Sequence, residues 1–178
     1  MTTKEIEHIA YNYFWKKGWY GVFEVAVPRA IVNKYHRERL DFLTYETTGI
    51  YRAYEIKRDK ADFYSGCAWS WIGHYNYFIM PYKLYIEVKK DIPKDIGVWV
   101  VREHSKNMEC VKRPKKRELL CSSTDMMFAM MQSMSREYKK YRKILQTQDK
   151  NKNKLNKKHN KKVNKNNSCI DDIDELFK

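Results

Sequence analysis

The stretch from Arg39 to Asp62 constrains the fold of this chain most, because it holds two β-type runs around one turn. Phe, Leu, Thr, Tyr and Ile dominate both runs, and Thr47-Thr48-Gly49 separates them. A hairpin loop of this length usually needs a left-handed glycine, a position that suits Gly49. The sequence therefore predicts a β-hairpin in which Glu46 pairs with Ile50.

The hairpin also predicts which side chains meet across the two strands. Counting back from the first pair places Asp41 opposite Glu55, with Cβ atoms roughly 4.5–5.5 Å apart. Lys57 follows at a period of two and shares their face. Two carboxylates this close repel each other unless a cation lies between them, and hard oxygen ligands suit Mg²⁺ or Mn²⁺. A metal site is one interpretation, and a solvated ion pair is the common alternative on an arbitrary hairpin.

Helix and strand patterns alternate on either side of this hairpin. Thr3 is the expected cap of a first helix that ends at Gly18. Further strands are predicted over 22–27, 75–80 and 96–101, with helices after Asp59 or Asp62 and within 81–93. Residues 108–118 are predicted as a basic hairpin arm or loop, and a Met-rich helix capped by Ser123 or Thr124 follows.

Several motifs in one consistent order carry a resemblance to a known family. They are Ile6-Glu7, GVFEVAVPR at 21–29, RLDFL at 39–43, YEIK followed by KADFYS over 54–65, GHYNYFIMP at 73–81 and DIPKDIGVWV at 91–100. Over about residues 4–120 the chain resembles the MmcB-like DNA-repair branch of the PD-(D/E)XK nuclease superfamily, which includes related phage proteins. The resemblance implies an α/β, restriction-endonuclease-like core of αβββαβ order. Its mixed sheet would be flanked by helices and followed by a C-terminal helix and a disordered tail.

The resemblance implies a Mg²⁺-dependent or Mn²⁺-dependent endonuclease that acts on DNA in repair, recombination or phage DNA processing. Asp41, Glu55 and the backbone carbonyl of Ile56 would hold the metal, and Lys57 would position the attacking water. A catalytically silent nucleic-acid-binding scaffold with the same fold is the alternative. The sequence does not distinguish DNA from RNA, or single strands from junctions, mismatches and flaps.

Two further acids are candidates for the same cluster. Glu7 is a first-turn residue of the kind that the helix dipole favours, and the resemblance makes it a catalytic candidate. Glu24 lies in the middle of a strand, where it faces solvent, pairs with Arg39, or, as the resemblance implies, binds the metal.

Three residues are secondary candidates. Asp62 matches a family segment in which the acid orients Lys57 or water, and capping a helix is its other expected role. His74 and Tyr75 stand where the family often places polar residues near the cleft, although a lone histidine is usually structural.

A formal net charge of +14, from 36 Lys and Arg against 22 Asp and Glu, favours a polyanionic partner. DNA is the expected one, although basic membrane-surface and merely soluble proteins share this balance. The candidate nucleic-acid-binding residues are Arg39, Arg58, Lys112, Arg113, Lys115 and Lys116. A solvated surface patch is the alternative for the cluster around Pro114.

The sequence predicts a cytoplasmic protein that is not inserted in a membrane. No apolar run reaches the roughly 18 residues of a membrane span, and MTTKEIEH lacks the layout of a signal peptide. The four cysteines are scattered without zinc-finger spacing, so reduced thiols are expected.

Composition predicts a folded domain over 1–145, which the resemblance makes nuclease-like, and a disordered Lys/Asn-rich tether over 146–178. Within the tether, residues 149–165 hold eight Lys, one acid and two aliphatic residues. A stretch with so few apolar groups cannot bury enough surface to fold alone. The tip, Ile170–Phe177, resembles the acidic tails of bacterial single-strand-binding proteins. It would dock on a protein partner, fold back on the basic surface, or serve only solubility. The oligomeric state stays open.

Overall fold

In the described part of the chain the first and last elements are helices, and two short helices lie between the strands. The computed structural model of the protein describes residues 1–27, 39–65 and 71–175, with side chains described up to residue 150 and at Lys152. In chain order the elements are α1 (Thr3–Trp15), β1 (Tyr20–Ala26), β2 (Arg39–Glu46), β3 (Ile50–Ile56), α2 (Lys60–Phe63), β4 (Tyr75–Pro81), α3 (Tyr82–Val88), β5 (Gly97–Val101), β6 (Met108–Lys112) and α4 (Ser123–Glu175). The expected α/β class is confirmed.

The strands form one six-stranded sheet whose order follows the chain, from β1 to β6. The pairs β1/β2 and β2/β3 are antiparallel, β3/β4 and β4/β5 are parallel, and β5/β6 is antiparallel. The sheet is therefore mixed and flanked by helices, as expected. Strand β6 lies within the segment predicted as a basic hairpin arm or loop, and it pairs antiparallel with β5, as a hairpin arm does.

The predicted hairpin is confirmed in its register. Glu46 pairs with Ile50, and the ladder continues to Phe42 opposite Tyr54. Gly49 adopts φ +88°, the left-handed conformation that the turn requires. Its N–H donates to the carbonyl of Glu46 at 2.8 Å.

Alternate residues of the strands pack on opposite layers, as a pleated sheet dictates. On one face, Phe42, Tyr54, Ile56 and Ile79 pack with Ile6, Ala10 and Phe14 of α1. A second cluster joins Leu43, Tyr51 and Ala53 to Met126, Ala129 and Met130 of α4. A third joins Phe63, Phe78 and Met80 to Leu84 and Val88 of α3. Burial of each large side chain contributes about 1.5–3 kcal/mol, so these layers hold the sheet in place.

The helix ends differ slightly from expectation. Thr2 rather than Thr3 caps α1, in a capping box with Glu5. Asp59 caps α2 through a hydrogen bond from the N–H of Asp62. Ser122 accepts from the N–H of Asp125 at 3.1 Å at the start of α4. Each cap lies within a residue of, or at, a position that the sequence suggests.

Helix α4 differs most from the sequence-based expectation, since its backbone is helical to Glu175 although the tether over 146–178 is predicted to be disordered. A Lys-rich stretch buries little apolar surface, but the backbone hydrogen bonds of a helix need no buried face and Lys is a good helix former. By internal contacts the chain divides into two compact units, Met1–Met134 and Ser135–Lys178. The domain boundary at 145 stays a prediction, and the side chains of the tip at 170–177 lie outside the described residues.

Within the described part of the chain, no helix carries an apolar stretch long enough to cross a membrane.

Candidate active site

Asp41, Glu55 and Lys57 come together on the adjoining strands β2 and β3. The register beyond Phe42 and Tyr54 places Asp41 opposite Glu55, and the two carboxyl groups are hydrogen-bonding neighbours. Glu55 is 7% exposed, Lys57 is 4% exposed, and Asp41 is half-buried. The structure thus assembles three ionisable groups in a place with little water.

The surroundings of Asp41 act on its charge in opposite directions. Burial raises the pKa of Asp41 above its ordinary value, and the negative charge of Glu24 adds to this effect. The N–H of Ile56, which donates to Asp41 Oδ2 at 2.7 Å, and the charge of Lys57 lower the pKa without cancelling the rise. A desolvated pair of carboxyl groups favours holding a proton or a cation between them.

Lys57 is held at both its backbone and its side chain. Its N–H donates to the carbonyl of Ile79 at 2.9 Å, and its Nζ lies 3.8 Å from Asp62 Oδ1. Asp62 is in turn fixed, because its Oδ2 accepts from the N–H of Arg58 at 2.9 Å. The predicted neighbourhood of Asp62 and Lys57 is present, and Asp59 takes the capping role instead.

Glu24 lies on the third strand of this group. Phe23 pairs with Phe42 and Val25 with Leu40, which leaves Glu24 opposite Asp41. Glu24 is exposed, and its carboxylate forms an ion pair with Arg39 at 3.1 Å. Both roles predicted for Glu24 from the residues alone are present in the structure: the side chain faces solvent, and it pairs with Arg39.

The backbone of Glu24 is unusual for a strand. Its φ is +54°, in the left-handed region, which costs a residue with a side chain roughly 1–3 kcal/mol. Ser133 of α4, fully buried, donates from Oγ to the carbonyl of Phe23 at 2.6 Å and lies 3.2 Å from that of Glu24. Sequence reasoning missed Ser133, whose only signal is a small polar residue on the apolar face of a helix.

Glu7 is placed on α1, where it is partly exposed. It lines an open groove of about 300 Å³ together with Lys4, His8, Tyr11 and Phe23. The groove therefore joins Glu7 to the neighbour of Glu24 on β1.

Tyr75 is the first residue of β4 and His74 precedes it, whereas the acidic pair adjoins the middle of that strand. Tyr75 pairs with Arg52, whereas Glu55 pairs with Phe78 three residues further on, a separation of about 10 Å along the strand. The N–H of Tyr51 donates to His74 Nδ1 at 3.1 Å, and burial lowers the pKa of His74. The structure does not bring these two residues to the acidic pair, and His74 has a structural hydrogen bond.

The basic candidates separate into two groups. Arg39 and Arg58 adjoin the acidic pair in the chain, on β2 and directly after Lys57. The others belong to the end of β6 and the segment after it: Lys112, Arg113, Lys115 and Lys116. That segment leads to the starting end of β4, where the N–H of Arg117 donates to the carbonyl of His74 at 2.9 Å.

Lys112 differs from its neighbours because its ammonium is used inside the fold. Lys112 Nζ donates to the carbonyl of Pro93 at 2.6 Å and to that of Ile92 at 3.3 Å. Burial lowers the pKa of Lys112. Arg113, Lys115 and Lys116 are exposed. Of the basic candidates in this segment, they are therefore the ones accessible to a phosphate.

The donor set of the site suits a hard divalent cation. Mg²⁺ commonly uses one or two carboxylates and completes its shell with water and substrate phosphate. Asp41 and Glu55 supply two adjacent carboxyl groups whose desolvation favours a bound cation. No group of three or more His, Cys, Asp or Glu side chains arranged for a metal occurs in the ranges that the structure describes. The fit therefore rests on the smaller set of two carboxylates and a backbone carbonyl.

Comparisons with known proteins support the fold alone. No protein-family model matches the chain, and no curated protein does. Among solved structures, the chain is similar to the SPO1766 protein of unknown function from Silicibacter pomeroyi, with 16% identity and a TM-score of 0.53. The match covers 75% of this chain and 83% of that one. The α/β architecture thus has a structural counterpart.

Proposed function

We propose that the protein is a metal-dependent nuclease that hydrolyses phosphodiester bonds of DNA. The observation that carries the proposal is the meeting of half-buried Asp41 with buried Glu55 and Lys57 across two paired strands. Removing two acids and an ammonium from water costs free energy. A hairpin with only a structural role would be more stable with apolar residues at these positions. The family resemblance over residues 4–120 supports the same reaction.

The side chains of the site divide the work of hydrolysis. Asp41, oriented by the N–H of Ile56, and Glu55 would hold Mg²⁺ together with the carbonyl of Ile56. When bound, the cation supplies positive charge that makes water a better nucleophile and offsets the charge of the phosphate. Lys57, with Asp62 beside its Nζ, holds and orients the attacking water. The raised pKa of Asp41 means that cation binding releases a proton from the pair when that pair is protonated.

Substitution at the site tests this proposal. In Mg²⁺ or Mn²⁺, Asp41→Ala or Lys57→Ala should lower cleavage of plasmid or branched DNA by at least about 100-fold, because each removes a group that acts at the reacting phosphate. Thermal melting should show both variants folded.

Glu87 and Lys89, at the end of helix α3, offer a matched control, since they repeat the Glu-x-Lys spacing at exposed positions outside the strands. The Glu87→Ala/Lys89→Ala protein should keep the full rate. Undiminished cleavage by either site variant would reject the assignment.

A nucleic-acid-binding scaffold is the second candidate, favoured by the small donor set among the described residues. Calorimetric titration with Mg²⁺ separates the two. A nuclease should bind the ion with a heat that disappears in Asp41→Ala and Glu55→Gln, whereas a scaffold should give no heat that depends on them.

A further inference from the structure

An exposed stripe of side chains runs along α1 beside β1. Lys4, His8, Tyr11 and Trp15 are exposed and recur at intervals of four, three and four residues, which places them on one helix face. The Tyr11 and Trp15 rings stack with centroids 5.9 Å apart and planes 20° from parallel. Trp15 is 61% exposed and Tyr11 38%. The pair forms an exposed aromatic platform outside the core.

The stripe continues into the groove that Glu7 lines. Phe23 closes this groove from β1, with its ring centroid 6.3 Å from that of Tyr11. Phe23 precedes Glu24 and pairs with Phe42, the neighbour of Asp41. β1 is the outermost strand of the described sheet and pairs with β2, the strand that carries Asp41. Phe23, which lines the groove, is therefore followed along β1 by the residue opposite Asp41.

We propose that this stripe binds an unpaired DNA strand and leads it to the candidate active site, an inference that rests on the proposed nuclease function. Bases stack on the rings of Tyr11 and Trp15, and Lys4 contacts a phosphate. The bases of a continuous duplex already stack on one another and cannot use such a platform. Residues 1–134, the unit that contains the stripe, hold 22 Lys and Arg against 16 Asp and Glu, and this excess of positive charge complements a polyanion. The substrate class is single-stranded DNA or a duplex with a single-stranded flap.

Binding measured in a metal chelator tests the stripe without cleavage. The probes are a fluorescent 20-nucleotide oligothymidine and a blunt 20-base-pair duplex, followed by anisotropy. Tyr11→Ala/Trp15→Ala should weaken oligothymidine binding by roughly tenfold for each ring lost and leave duplex binding within about twofold. Tyr11→Phe/Trp15→Phe should restore most of the affinity, because both rings remain.

Phe128→Ala provides the control, since Phe128 is 59% exposed on α4 and its loss changes no charge. It should leave both affinities unchanged. Equal losses on both probes, or an unaltered affinity for oligothymidine, would overturn the proposal. If Tyr11→Ala/Trp15→Ala lowers the melting temperature, Tyr11→Leu/Trp15→Leu replaces it. The leucine variant should show the same selective loss of oligothymidine affinity.

The two proposals fail separately. Unaltered oligothymidine affinity in the ring variant rejects the stripe while the cleavage defect of Asp41→Ala stands. Absence of cleavage by the parent protein on every substrate rejects the nuclease and leaves the binding measurement intact.

Discussion

Asp41 occupies a position where its charge costs free energy in the absence of a cation. Burial is the largest influence on its pKa, and the neighbouring Glu24 acts in the same direction. The N–H of Ile56 and the ammonium of Lys57 compensate only in part. A carboxyl group in such a place is matched to a ligand that carries positive charge.

The unfavourable burial of the Asp41 carboxylate predicts that the stability of the protein depends on pH. Because folding raises the pKa of Asp41, its stabilising contribution is fully present below the ordinary value of 3.8 and is lost as pH rises through the folded value. In a chelator, Asp41→Asn should therefore unfold at higher denaturant than the parent at pH 7, and the advantage should vanish near pH 3. Denaturant titration over a pH series measures it.

Asp59→Asn serves as the opposite control. The N–H of Asp62 and the guanidinium of Arg58 lower the pKa of Asp59, so its contribution is present above 3.8 and is lost as pH falls. Parallel pH profiles for Asp41→Asn and the parent would contradict the burial argument.

Ser133 gives a second prediction at the same scale. Ser133→Ala leaves the carbonyls of Phe23 and Glu24 without the hydroxyl and should lower the free energy of unfolding by about 1–3 kcal/mol. The matched variant is Ser135→Ala, two residues further along α4 and exposed, which should change it by less than about 0.5 kcal/mol. Equal effects of the two substitutions in denaturant titration would show that the hydroxyl does not hold the strand.

Among the elements, the hairpin could be predicted because its information is local. Thr47-Thr48-Gly49 fixes the turn, the turn fixes the pairing of Glu46 with Ile50, and pleating then fixes the position of Asp41 against Glu55. Only residues near one another in the sequence determine this register. The core of the candidate site follows from it.

The elements that sequence reasoning missed depend on distant residues. The left-handed Glu24 is supported by Ser133, which is 109 residues away in the chain. The end of β4 that receives His74 and Tyr75 follows from pairing between β3 and β4, which no local pattern determines. For residues 108–118 the sequence leaves a hairpin arm and a loop open, and only pairing with β5 makes Met108–Lys112 a strand.

For the whole molecule, half of the net charge of +14 lies in one stretch of the sequence after the last described strand. Residues 149–165 hold eight Lys and one Asp, a net charge of +7. Among the described side chains of α4, those buried against the sheet are Met126, Ala129, Met130 and Ser133. The basic stretch begins 16 residues further along the sequence.

Deletion of residues 149–178 should leave the melting temperature nearly unchanged and weaken non-specific DNA binding. If the seven net charges contact phosphates, the slope of log K against log salt should flatten by about six. Deletion of 170–178 alone keeps all eight Lys of the stretch and should keep the steep slope. A slope that is equal in all three proteins would show that the stretch does not touch DNA.

The order of the strands bears on how the chain folds during synthesis. Since each strand of the described sheet pairs with the one made just before it, the sheet can grow one strand at a time behind the ribosome. Asp41, Glu55, Lys57 and Asp62 all emerge within the first 62 residues. Ser133 emerges 109 residues after Glu24, so a nascent chain acquires the acidic pair first and the fixed conformation of Glu24 last.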